Sequence, residues 1–124
     1  MKLFTVEEAN ALIPVLRPKL QRIKHLYEVI GSLREAAAAA AAASAAGGGM
    51  EGGSQYVKSL YETGKMMTEL AESGVELKDH GRGLIDFPSL RNGRVVLLCW
   101  QLDEGDEVLW WHDVEAGFAG RQPL

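Results

Sequence analysis

A chain of 124 residues, 47% hydrophobic and 24% charged, has the size and balance of one globular domain that buries a core without metals or disulfides. Its formal charge of -4 gives no general attraction for nucleic acid or anionic lipid, so neither is expected as a partner. No segment reads as a signal peptide or membrane span, and the single cysteine, Cys99, suits a reducing cytoplasm.

The chain opens on a capping box. In TVEE, the Thr5 hydroxyl can accept from the Glu8 amide while the Glu8 carboxylate reaches back to the Thr5 amide. A helix therefore starts here, and Pro14, with no amide to donate, is expected to divide it. The spacing predicts a short helix from about Val6 to Leu12 and a second beginning near Pro14. Ile13, Leu16, Leu20, Ile23, Tyr27 and Ile30 then recur in alternating steps of three and four, the seam of a coiled coil. The basic residues between them, Arg17, Lys19, Arg22, Lys24 and His25, have no interleaved aromatics and read as a solvated face. Residues 36–46 are alanine-rich and prolong the helix, and the glycines of 47–53 end it. A returning helix is expected from about Ser54 to Ser73, with a stripe of Tyr56, Leu60, Met67 and Leu70, ended at Gly74. The pair makes an antiparallel hairpin over about 5–74, with its tip at 36–53.

Beyond residue 74 the apolar period changes to two. GVELKD alternates as a half-buried strand, and LIDFP is a short strand stopped by Pro88. Leu90–Gly93 forms a turn, and RVVLLCWQL and EVLWWHD make a hairpin around DEGD. Four antiparallel strands after two helices give an α+β fold, a single domain over 1–124, with sheet and tail at about 75–124. Symmetric pairing of the last hairpin sets Leu102 opposite Glu107, Cys99 opposite Trp110 and Leu97 opposite His112. One face then holds Val95, Leu97, Cys99, Gln101, Val108, Trp110 and His112; the other holds Val96, Leu98, Trp100, Leu102, Leu109 and Trp111. Both are apolar, yet one helical layer covers only one. A homodimer burying the second face is therefore expected, the alternative being that the tail from Val114 to Leu124 folds back over it.

Candidate chemistry centres on His112. It is a diagonal neighbour of Cys99, with Glu115 three residues on and Asp86 or His80 available from the adjoining hairpin. Imidazole, thiolate and carboxylate are the donors of a zinc-like ion. The plainer reading is a buried histidine hydrogen-bonded to Asp86 or Glu115. A Cys99 nucleophile is disfavoured by its apolar strand, Ser89 has no identifiable base, and Asp113 faces away from His112. Gly117 and Gly120 could form an anion nest with Arg121, or Arg121 could pin the tail by an ion pair. Phe118 and Trp110 stand as possible ligand contacts beside it.

FTVEEANALIPVLRP, GLIDFPSLRNGRVVLLCW and WWHDVEAGFAGRQPL together resemble the prokaryotic family catalogued as domain of unknown function 2203. The resemblance covers about residues 3–30 and 75–124, its most specific part being HDVEAGFAGRQPL; the 36–53 tract looks like a local expansion. The family has no established activity, so the resemblance implies no reaction. Its signature falls on Asp86, His112, Glu115, Phe118, Gly120 and Arg121. The leading expectation is a non-enzymatic homodimeric binding or assembly module with a small-molecule or protein partner. The alternative is a metal-binding protein or metal-dependent enzyme using His112 and Glu115 with Asp86 or Cys99, holding a divalent ion such as zinc.

Overall fold

A computed structural model describes residues 1–43 and 53–124. Two helices, α1 (Val6–Ala43) and α2 (Gly53–Glu72), precede β1 (Glu76–Asp79), β2 (Leu84–Arg91), β3 (Arg94–Trp100), β4 (Trp110–Asp113), a 3-10 turn (Phe118–Gly120) and β5 (Gln122–Pro123). The fold is α+β: five antiparallel strands in the order β1-β2-β3-β4-β5, one more than expected, because the tail returns and pairs Trp110 with Pro123 and Trp111 with Gln122.

The start of α1 is built by local hydrogen bonds. The Thr5 amide donates to Glu8 Oε1 at 3.0 Å and the Glu8 amide donates to Thr5 Oγ1 at 3.1 Å. Phe4, before the cap, and Ala9, four residues inside, are both buried, as a hydrophobic staple requires. The expected break at Pro14 does not occur. Pro14 and Pro18 lie inside one continuous helix of 38 residues, about 57 Å long. Both prolines are exposed and four residues apart, so the unpaired carbonyls lie on the outer face, where water can serve them. The inner face of Ile13, Leu16, Leu20, Ile23, Leu26 and Ile30 is buried without interruption. Leu26, rather than Tyr27, fills the inward position; the Tyr27 ring lies flat on His80, centroids 3.6 Å apart.

The described part of α1 ends at Ala43, and of the tip expected at 36–53, residues 44–52 lie outside the described residues. On α2, Ser59, Thr63 and Leu70 face inward and Met66 and Met67 are partly buried. Leu60, expected in the inner stripe, is 44% exposed. Small residues on the inner face let α2 approach α1 closely; the Thr63 hydroxyl is satisfied by the Ser59 carbonyl at 2.7 Å. The core joins the inner face of α1 and Leu70 to Ile85, Phe87, Val96, Leu98, Trp100 and Trp111 of the sheet.

Strand β2 runs through Pro88, which pairs with Leu97, instead of stopping there. The Pro88 carbonyl accepts from the Phe4 amide at 2.7 Å. Its missing amide therefore points to the edge away from β3 and costs no ladder bond. Strands β2 and β3 meet in a two-residue turn at Asn92 (φ 50) and Gly93 (φ 78), the doubly left-handed geometry that matches strand twist. The next hairpin is looser than expected. Leu97 opposes His112 and Cys99 opposes Trp110, but β3 ends at Trp100, and Leu102 and Glu107 are not paired. Residues 101–109 instead fold against α1: the Val108 amide donates to Asn10 Oδ1 at 2.7 Å, and the Arg17 guanidinium pairs with Asp106 at 3.0 Å. Val108 thereby enters the helical core while Leu109 is exposed, the reverse of their expected faces.

Candidate metal centre

Three adjacent strands each place one polar side chain on the sheet face away from the helices. Asp86 on β2 is directly opposite Cys99 on β3, and His112 on β4 is the diagonal neighbour of Cys99. All three are buried, and their ligating atoms lie within 4.8 Å of one another. The His112 side chain crosses over β3, and its Nε2 lies 3.1 and 3.2 Å from the two Asp86 oxygens. Its Nδ1 lies 2.8 Å from the Asp113 carbonyl, which can only accept; Nδ1 therefore carries a proton, and the ring is fixed with Nε2 aimed into the cluster. A ring nitrogen donating to a backbone carbonyl while the other faces the ligand set is the usual arrangement of a metal-binding histidine.

The same geometry gives a thiol–imidazole nucleophile little support. Nδ1 donates to the Asp113 carbonyl, and Nε2 faces the Asp86 carboxylate at 3.1 and 3.2 Å in preference to the Cys99 thiol. Burial pushes the Cys99 thiol up to about 12, and the adjacent Asp86 carboxylate adds to the effect; without a cation the sulfur stays protonated and inert. Ser89 is equally committed, donating to the Phe4 carbonyl at 2.6 Å.

The cluster forms the floor of a cavity of about 280 Å³ walled by Lys78, Leu84, Leu97, Val114, Gly117 and Phe118. Leu84 and Leu97 are buried, with Val114, Gly117 and Phe118 of the tail segment lining the same cavity. The apolar surface that called for a partner on this face is thus largely buried within one chain. Lys78 sits at a register shift in β1, an irregularity that re-aims side chains, and its amine pairs with Glu76 at 2.9 Å.

Of the four candidate ligands, Asp86, Cys99 and His112 come together and Glu115 does not. Strand β4 ends in a turn closed by the Ala116 amide on the Asp113 carbonyl at 3.0 Å, and Glu115 is exposed there. His80 is likewise removed, on Tyr27. Arg121 pairs with Glu104 at 2.5 Å and lies over both Trp110, at 5.0 Å, and Phe118, at 4.6 Å. Gly117 has the positive φ of a nest, 66°, while the Arg121 amide closes the 3-10 turn on the Phe118 carbonyl at 3.2 Å. Sequence reasoning missed Lys78 as a wall residue. The signal was present, because Glu76 and Lys78 alternate on one face and Glu76 pairs with Asp86.

A family model described as an uncharacterized conserved protein (DUF2203) matches residues 2–124, including the alanine and glycine tract. No curated protein and no solved structure matches the chain.

Proposed function

The chain belongs to the DUF2203 family, which brings no assigned reaction, and from the geometry of its site we propose that it is a metal-binding protein. Asp86, Cys99 and His112 hold a zinc-like divalent ion whose remaining coordination position opens into the cavity. The observation that supports this most is the convergence of three buried, chemically different ligand side chains within 4.8 Å. Nitrogen, sulfur and carboxylate oxygen together favour zinc or a similar transition metal over calcium or magnesium. Three protein ligands with one open position is the pattern of a site that admits a small molecule. A dication with one thiolate and one carboxylate is neutral, and Lys78 on the wall is already paired with Glu76 at 2.9 Å, so neither sets a charge requirement on the ligand.

The test is elemental analysis of protein purified without a metal-affinity tag, followed by cobalt substitution. His112→Ala leaves Asp86 buried and unpaired, at a cost of about 3–5 kcal/mol, and can fail for reasons of folding. Cys99→Ala keeps the Asp86–His112 pair and is the sharper variant. We expect one metal per chain, a sulfur-to-cobalt charge-transfer band in the wild type, and loss of that band in Cys99→Ala. No uptake of zinc or cobalt by the folded wild type would overturn the reading.

Homodimer formation is a second part of the proposal. It is supported by large apolar side chains that the chain leaves in solvent, above all Val57 and Tyr61. The free, buried Cys99 supports a reducing, cytoplasmic setting. The charge of -4 weighs against nucleic acid as a partner, and no described helix is long and apolar enough to cross a membrane.

A further inference from the structure

We propose that the outward face of α2 is a self-association surface on which the α2 helices of two copies lie antiparallel about a two-fold axis near Gly64. This rests on the homodimer reading and assigns it a place. Val57, Leu60 and Tyr61 lie on successive turns of one helix face and are 64%, 44% and 74% exposed. Elsewhere, Leu109 lies beside Leu124, and Val114 and Phe118 line the cavity over Cys99. Val15 and Leu90 stand singly on separate elements, which is ordinary for a protein surface. A contiguous patch is not, and marks a contact site.

Gly64 continues the same face. A helix-interior glycine is less stable than alanine, and a Cβ built at Gly64 would meet nothing within 4 Å. Among the described residues the chain's own packing therefore gives no reason for it. Leu60, Tyr61 and Thr68 line an open groove around this notch, into which a tyrosine ring or a second backbone could fit.

The flank of the patch says what the occupant is. Lys58, Glu62, Lys65 and Glu69 follow at helical spacing, so charge alternates along one edge. Laid parallel about a two-fold axis, this edge would face the opposite edge of the second copy and leave its charges unmatched by one another. Laid antiparallel about an axis near Gly64, Lys58 meets Glu69 of the second copy and Glu62 meets Lys65, while Tyr61 faces the other notch. Glu62 already receives both ends of the Arg22 guanidinium, and a carboxylate retains acceptor capacity for a further cation. A surface that complements itself under a two-fold rotation is the requirement for an isologous dimer.

Sedimentation equilibrium of the full chain tests this. The wild type is expected at twice 13.5 kDa. Tyr61→Glu, at an exposed position, is expected to keep its circular dichroism while weakening dimerisation by about 30-fold or more, as for a central aromatic anchor. Lys58→Glu should weaken it by about two- to fivefold, and adding Glu69→Lys should restore it. A wild type that stays monomeric at micromolar concentration overturns the homodimer reading together with this surface. A dimer unaffected by Tyr61→Glu overturns this surface alone, and a dimer weakened by Lys58→Glu but not rescued by Glu69→Lys overturns the antiparallel pairing.

Discussion

Without a bound cation, burial and the Asp86 carboxylate outweigh the favourable charge of Arg121 and keep Cys99 as a thiol. Its thiol is raised from 9.0 to about 12, by burial first and the Asp86 carboxylate second. The sign of the consequence follows from linkage. Between those two values the unfolded chain ionises while the folded chain keeps its proton, so the stability this group confers is complete below pH 9.0 and is lost as pH rises towards 12. For protein stripped of metal by a chelator, the expected outcome is that Cys99→Ala flattens the alkaline limb. The difference in urea midpoint between variant and wild type should change between about pH 8 and about pH 10 in the direction of relative loss by the wild type. Other groups titrate in both proteins and cancel in the difference. Sequence alone made the site partly legible at this scale. The register that sets Cys99 opposite Trp110 and Leu97 opposite His112 follows from side-chain period in two apolar runs. The position of Glu115 did not follow, because nothing in the alternation says where a strand gives way to a turn.

At the scale of elements, proline and glycine act through the side on which they point. Pro14, Pro18 and Pro88 each interrupt a local pattern, yet α1 and β2 pass through them, since the carbonyls left unpaired in α1 face water and the missing amide of Pro88 points away from the β3 ladder. That is decided by tertiary placement, which a local reading of the sequence does not contain. Gly83 is the opposite case. It holds a φ of +58° at the turn into β2, and a Cβ there would lie 2.3 Å from Leu102 Cγ. The Leu102 amide also donates to the Arg82 carbonyl at 3.3 Å, so this turn is docked against the 101–109 connection. Gly83→Ala combines a left-handed backbone penalty with overpacking, and is expected to cost about 2–4 kcal/mol. Chemical denaturation checks it. A near-neutral result would mean that the 101–109 connection moves away easily. By contrast Gly93→Ala, at φ +78° with no neighbour within 4 Å, should cost only the backbone penalty of about 1–2 kcal/mol.

Across the whole molecule, the C-terminal tail turns a sheet face into a walled cavity. Strand β5 pairs with β4, Phe118 and Gly117 line the cavity over Cys99, and Arg121 fastens both to the 101–109 connection through Glu104. The sequence showed that this face needed a cover without showing which cover it has, because period-two patterning reports burial and not the identity of the neighbour. The Arg121 and Glu104 side chains are 11% and 17% exposed, so removing one strands the other in a mostly dry setting. Arg121→Ala is expected to cost about 2–3 kcal/mol, somewhat below the 3–5 of a fully buried pair. The double change Arg121→Met with Glu104→Gln should cost less than the sum of its parts, because neither charge is then left alone. The functional consequence is read at Cys99. If the tail is the cover, Arg121→Ala should raise the rate at which a thiol reagent labels native Cys99 by about tenfold, as a locally opened segment exposes what it protected. Gly93→Ala, a somewhat smaller loss of stability remote from the tail, should raise it no more than its own loss of global stability accounts for. Equal labelling in the two variants would mean that Cys99 is reached only by global unfolding, and that Arg121 holds the tail without guarding the site.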